Sequence, residues 1–448
     1  MIHWEEEDKR YIWHPCTQAK DEEDMPPIIM DYGRGRYLYD IHGKPYLDII
    51  SSWWCNLLGH GDVQVNAAIH QQLEKLEHVI FAGFSHTQAI TLARRLHSLL
   101  PSGLDKFQFT DNGSSAVECA LKMSFQYHYQ TGHPERRRFM ALSGAYHGET
   151  IGALSVGAVD VYSRLFHPLL FETVFVEGPD CFRCPYGQHR ETCQAPCFEA
   201  AERAFSQYGK ETAAFIAEPL LQGAAGMRIY PPVYLRKLRS ACDAYGVHLI
   251  ADEIAAGFGR TGTMFACEQA HISPDMMCLS KGLTGGYLPM AITAVRQEIY
   301  DAFYGEYISG RTFMHSHTYS GNPLACAAAN AVLDVMEQRP ILETARHVSD
   351  YTTKQFIDYF GQHPHTGEIR HIGLIHALEL VEDRKTRLPF NPSRRIGWAV
   401  YKEALQRGLL LRPIGDVLYF NPPLTITKDE IDEALHIMAA AMAAVFPS

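Results

Sequence analysis

The chain has 448 residues, 46% of them hydrophobic and 20% charged, and a formal net charge of −11. That length can bury large cores and usually divides into one large and one smaller domain, and the composition excludes disorder as the main theme. With no basic run longer than Arg136, Arg137 and Arg138 there is no electrostatic footprint for nucleic acid, and no apolar segment approaches the ~20 residues needed to span a bilayer.

The opening stretch, MIHWEEEDKR, is acidic and lacks the apolar centre of a secretion signal, so a soluble, cytoplasmic protein is expected. Eleven cysteines, some in apolar segments such as those around Cys119, Cys242, Cys278 and Cys326, suit reduced thiols better than a disulfide framework. Residues 28–49 read as a hairpin. Tyr37, Leu38, Tyr39 and Ile41 precede the turn His42, Gly43, Lys44, and Tyr46, Leu47 and Ile49 follow it. The next segment, SSWWCNLLGHG, sets Trp53 and Trp54 side by side in a loop flanked by serine and glycine. One buried face cannot account for both. They are either a hydrophobic plug or the aromatic wall of a substrate site.

Between residues 107 and 130 a short strand runs into Gly113, Ser114 and Ser115 and then into a helix, with Ala116, Val117, Ala120, Leu121 and Phe125 at helical spacing. Ser114 is placed to cap the first turn. The free N–H groups and positive dipole end of that helix suit a dianion, although such a cap also serves an ordinary helix start. A second strand leads to Tyr146, His147, Gly148 and Glu149. Further on, CFRCPYGQHRETCQAPC carries Cys181, Cys184, Cys193 and Cys197 at a spacing open to a tetrathiolate zinc site or to reduced thiols. A metal there would staple a loop and take no part in chemistry. The strand Ala213 to Ala217 ends in Glu218 and Pro219.

The segment from Val247 to Lys281 carries the strongest signal. An uninterrupted apolar run ends abruptly in Asp252 and Glu253, as in a strand buried on both faces whose carboxyl end meets a ligand. A second short run, Met276 to Leu279, delivers Ser280 and Lys281 into a glycine-rich turn. A lysine so placed suits a nucleophilic amine that forms a Schiff base, the other reading being two strand-end charges facing water. Beyond it, RTFMHSHTYSGNP sets His315 and His317 one residue apart with no acidic or cysteine partner nearby in sequence, which favours a structural role over a metal. Arg412, before Pro413, is either a surface arginine or a bidentate clamp for a carboxylate.

Asp252, the turn from Gly257 to Gly262 reading GFGRTG, and a lysine 29 positions after the acid resemble the core of the class III, pyridoxal-phosphate-dependent aminotransferases. The resemblance implies a fold-type I α/β protein with a mostly parallel central sheet, helices on both faces and a discontinuous small α+β domain. The small domain would comprise residues 1–70 and 330–448, the large coenzyme-binding domain residues 71–329. The protein would work as a homodimer with its active sites at the subunit interface. Pyridoxal 5′-phosphate would be held by Lys281 as the Schiff-base lysine and later proton shuttle, by Asp252 at the pyridine nitrogen, and by Gly113 and Ser114 at the phosphate. Tyr146 would stack on the ring, and Thr318, with Ser316 and His317 beside it, would reach the phosphate bound by the neighbouring subunit.

The tryptophan pair and the Arg412 loop resemble the branch of that family serving biotin synthesis, which aminates 8-amino-7-oxononanoate. This implies a substrate site of Trp53, Trp54, Tyr146, Lys281, Ser316 and Arg412, the indoles covering an alkyl chain and Arg412 taking the acid end. S-adenosylmethionine is the usual amino donor of that branch and lysine a less common one. The chain departs from the pattern at Cys16, where forms using S-adenosylmethionine carry tyrosine. It departs also at Ser316-His317-Thr318 in place of Gly-Pro-Thr, at Ile414 and Asp416, and at Glu149 in place of aspartate. The donor therefore stays open. The alternatives are an ω-amino acid:pyruvate aminotransferase of the same class and a non-catalytic metal-binding protein on the same fold.

Overall fold

The strand Thr212–Ala217 is buried along its whole length, with alternate side chains turned opposite ways. Ala214 and Ile216 join a core on one face of the sheet, Phe215 and Ala217 a core on the other. An apolar run without polar alternation is what a strand needs when both faces are covered. In the computed structural model, which describes residues 3–447, seven strands form the central sheet. Residues 1–2 of the acidic opening stretch, and Ser448, lie outside the described residues.

The spatial order is Leu104–Thr110, Ala291–Arg296, Met276–Leu279, His248–Asp252, Thr212–Ala217, Arg138–Leu142 and Thr173–Val176. Ala291–Arg296 is antiparallel to both its neighbours and the rest run one way. Helix Gly113–Gln130 brings Ala116, Val117 and Ala120 to one face, against Ile216 and Ile250. Helices Glu199–Tyr208 and Pro232–Tyr245 bring Phe205, Leu235 and Leu238 to the other. The chain thus adopts the mostly parallel α/β architecture expected of it. One consequence is that Asn112, Tyr146, Glu218, Asp252 and Lys281 all follow or end strands at the same, carboxyl, edge of the sheet.

The expected hairpin forms, with Tyr37–Asp40 antiparallel to Pro45–Asp48 around residues 42–44. Met30–Arg34 adds a strand on its outer side, and Leu409–Leu410, from the far end of the sequence, pairs parallel with Pro45–Asp48. A second small sheet joins Thr366–Ile372, Ile375–Leu380 and Val417–Phe420. Among the described residues no helix is long and apolar enough to cross a membrane.

Candidate active site

Asp252 ends its strand, and Lys281 stands two residues beyond the parallel neighbour, in which Cys278 is in register with Asp252. Both line one cavity of about 290 Å³. Asp252 is 4% exposed; its Oδ1 accepts the N–H of Ile254 at 3.1 Å and its Oδ2 lies 2.7 Å from Nδ1 of His147. The imidazole fixes the carboxylate in place. Lys281 has φ 45°, a left-handed conformation that costs a non-glycine residue on the order of 1–2 kcal/mol. Its Nζ sits 4.8 Å from the ring of Trp54. Burial holds its amine below the ordinary lysine range, with Asp252 and Glu218 opposing. An amine so perturbed keeps a lone pair for attack more readily than one in water.

Glu218 follows the strand Thr212–Ala217 and is fully enclosed. Burial pushes its carboxyl up to about 7, with His147 opposing the shift and Asp252 adding to it. Its two oxygens accept the N–H groups of Tyr146 at 3.1 Å and Gly223 at 3.0 Å. Glu218 thus braces the loop that presents Tyr146.

At the far side of the cavity, helix Gly113–Gln130 begins. Its cap is Asn112, in extended conformation, whose Oδ1 accepts the N–H of Ser115 at 3.0 Å. Ser114, expected to cap, is already inside the first turn, and its Oγ accepts the N–H of Glu149 at 3.3 Å. Gly113 and Ser114 line the cavity, so the positive end of an 18-residue helix opens into it. Gly148 has φ 118°, and a Cβ there would lie 2.0 Å from Ser114 Oγ. Only glycine lets the two loops meet.

The tryptophan pair separates into two roles because the backbone turns left-handed. Ser51, Ser52, Trp53 and Trp54 have φ of 51°, 47°, 89° and 71°. Asp48 holds the turn, accepting from Ser52 N at 3.0 Å and Ser52 Oγ at 2.7 Å and lying 3.0 Å from His60 Nε2. Trp54, 5% exposed, lines the cavity and donates from Nε1 to Tyr419 Oη at 2.9 Å. Trp53 faces outward at 41% exposure, with the Arg412 guanidinium 4.8 Å over its ring. Arg412 Nη2 also donates to the carbonyl of Cys16 at 3.0 Å.

Other expected site residues lie elsewhere. Ser316, His317 and Thr318 do not line the cavity of their own chain. His317 Nδ1 lies 2.9 Å from Asp111, next to the helix cap, and its Nε2 lies 3.3 Å from that of His315. The acid that sequence proximity did not offer comes from 206 residues away. Asp416 accepts the N–H of Gly397 at 2.9 Å, at the start of helix Ile396–Gln406, and so is occupied away from the site. Cys181, Cys184, Cys193 and Cys197 line a second cavity of about 250 Å³ as free thiols. Among the described residues no three potential metal ligands converge.

Arg260, inside the glycine-rich turn, went unassigned in the sequence reading. It is 1% exposed and donates to the carbonyls of Pro422, of Asn56 at 3.1 Å and of Trp54 at 3.4 Å, with burial lowering it to about 10. Its signal was an arginine placed among glycines.

The side chains present could hold a coenzyme carrying a phosphate, an aromatic ring nitrogen and a carbonyl carbon. The helix start suits the first, Asp252 backed by His147 the second, and Lys281 the third; Tyr146 offers an aromatic face. The family model for class III aminotransferases matches residues 17–442. The chain is 46% identical over 441 residues to the adenosylmethionine-8-amino-7-oxononanoate aminotransferase of Nitratidesulfovibrio vulgaris, covering 98% of this chain and 81% of that one. The crystal structure of the enzyme of that name from Methanocaldococcus jannaschii matches with a TM-score of 0.93 at 36% identity, covering 98% of each chain. An omega transaminase from Pseudomonas jessenii in complex with PMP matches with the same TM-score at 30% identity, covering 99% of this chain and 98% of that one.

Proposed function

The chain belongs to the class III aminotransferases, and from that membership we propose that it binds pyridoxal 5′-phosphate and transfers an amino group to 8-amino-7-oxononanoate. The product is the 7,8-diaminononanoate of biotin synthesis, with S-adenosylmethionine, or alternatively lysine, as donor. When bound, the coenzyme supplies an electron-withdrawing ring that stabilises negative charge at the substrate carbon.

The residues act around it. Asp252, steadied by His147, keeps a proton at the ring nitrogen. Lys281 Nζ would hold the coenzyme at its carbonyl carbon, and its free amine would take and return the proton at the substrate carbon, a task suited to an amine held below its ordinary range. Gly113 and Ser114 receive the phosphate, and Tyr146 covers the ring. Trp53 and Trp54 shield the alkyl chain, and Arg412 pairs with the acid end. In the homodimer, Thr318 of the second copy, with Ser316 and His317 beside it, completes the phosphate site.

The observation that carries this reading is Asp252 and Lys281, from adjacent parallel strands, meeting in one cavity beside a helix start. Names of the relatives favour the biotin-pathway acceptor over pyruvate, and an arginine lying on an exposed indole suits a long chain ending in a carboxylate. Two assays test it. Lys281→Ala should abolish both turnover and the visible absorbance of bound coenzyme, and retention of both would refute the assignment. Offered 8-amino-7-oxononanoate and pyruvate together, the enzyme should aminate the former; a clear preference for pyruvate would favour the ω-amino acid reading.

A further inference from the structure

Two flanks of opposite character lie beside the cavity-lining Trp54 and Tyr146. On one, the Arg412 guanidinium lies on Trp53. On the other, Tyr162, from the short helix Asp160–Ser163, packs its ring on Tyr146 with centroids 5.1 Å apart and planes 55° to each other. The hydroxyl of Tyr146 is taken up by Glu149 Oε1 at 2.9 Å. That of Tyr162 meets no partner among the described residues. Glu149 itself is exposed, with only one carboxylate oxygen engaged by Tyr146. The carbonyl of Cys16 accepts from Arg412 Nη2 at 3.0 Å, and its thiol is raised by burial, raised further by Glu149 and lowered by Arg412. Burial raises the Tyr162 phenol, Cys16 and Glu149 raise it further, and Arg412 lowers it.

We propose that Tyr162 is a specificity-determining residue of this site, its phenol and the Glu149 carboxylate holding an ammonium group of the substrate opposite the Arg412 guanidinium. The proposal rests on the function given above and names how the acceptor is chosen. A phenol oxygen accepts a hydrogen bond from an ammonium, and the paired ring faces attract a cation. Flanks so charged suit a ligand that carries a carboxylate at one end and an ammonium away from it, as 8-amino-7-oxononanoate does.

Calorimetric titration of the enzyme loaded with the amine form of its coenzyme, using 8-amino-7-oxononanoate and 7-oxononanoate, the same chain without the amine, tests this in wild type, Tyr162→Phe and Tyr162→Leu. Wild type should prefer the aminated ligand by about tenfold. Tyr162→Phe, which keeps the ring contact with Tyr146, should cut the preference by about fivefold, and Tyr162→Leu should bring it close to one. The coenzyme spectrum should stay unchanged in all three proteins, and should Tyr162→Leu fail to fold, Tyr162→Phe decides. In steady state the loss should fall on KM more than on kcat. An equal ratio in wild type and Tyr162→Phe, no preference in wild type, or no binding of either ligand would overturn the proposal. Failure of the function itself reads differently, as wild type that turns over neither compound whatever the binding ratio.

Discussion

Glu253 is fully buried next to Asp252 in sequence but turns away from the cavity, accepting the N–H groups of Ala266 at 3.0 Å and Cys267 at 2.8 Å. Burial pushes its carboxyl up to about 7, those two N–H groups opposing. A raised carboxyl keeps its proton in the folded state where the unfolded chain has lost it. The stability this contributes is full below about 4.5 and is lost as pH rises through about 7, a change on the order of 3 kcal/mol at most. Urea midpoints taken from pH 5 to 8 should therefore fall with pH, and Glu253→Gln should flatten that slope whatever it does to absolute stability. An unchanged slope would mean that Glu253 does not titrate in this window. At this scale the sequence was informative where chemistry sits at strand ends. The apolar runs before them marked Asp252 and Lys281 as candidates, the family resemblance gave them roles, and the fold sets both on one cavity. It was silent on what orients them. His147 lies 105 residues from Asp252, and the Tyr146 amide braced by Glu218 lies 72 residues from it, distances at which only the closed sheet supplies the contact.

Among the elements, the helix Gly113–Gln130 was legible because apolar residues recur at its period, whereas its cap was not. Asn112 and Ser114 are both competent caps by residue type, and the backbone conformation at 112 decides between them. The left-handed turn of Ser51–Trp54 was hidden for a related reason. Serine and tryptophan carry no preference for positive φ, and the force that imposes it is Asp48, through hydrogen bonds that residue types alone do not announce. Gly148 is where element packing and the coenzyme site coincide. Gly148→Ala would put a methyl against Ser114 and strain a φ of 118°. We expect a stability loss of about 1–3 kcal/mol and a larger proportional loss of coenzyme affinity, because the Ser114 loop must retreat from the cavity. Absorbance titration with pyridoxal phosphate alongside thermal unfolding separates the two. Wild-type coenzyme affinity in a destabilised Gly148→Ala would remove the loop contact from the phosphate site.

For the molecule as a whole, the stretch from Tyr304 to Tyr319 stands out. Tyr307 is 94% exposed, Ile308 92% and Met314 83%, a run of large apolar side chains that monomeric proteins rarely leave in water. The same stretch carries Ser316, His317 and Thr318, which miss their own chain's cavity yet are tied to it through the bond from His317 to Asp111 beside the helix start. Both facts follow if a second copy covers the apolar run while Thr318 crosses to the partner's phosphate site. Sequence could propose the pairing only through family resemblance, since an exposed apolar run and a buried one read alike until the fold shows which face is left uncovered. The paired substitution Ile308→Glu and Met314→Glu places charge on that face without touching the cavity. Light scattering should report a dimer for the wild type and a monomer for this variant, and the monomer should hold coenzyme more weakly, as should a dimeric Thr318→Ala. A monomer with undiminished coenzyme affinity would separate the interface from the site and leave Thr318 without a role across it.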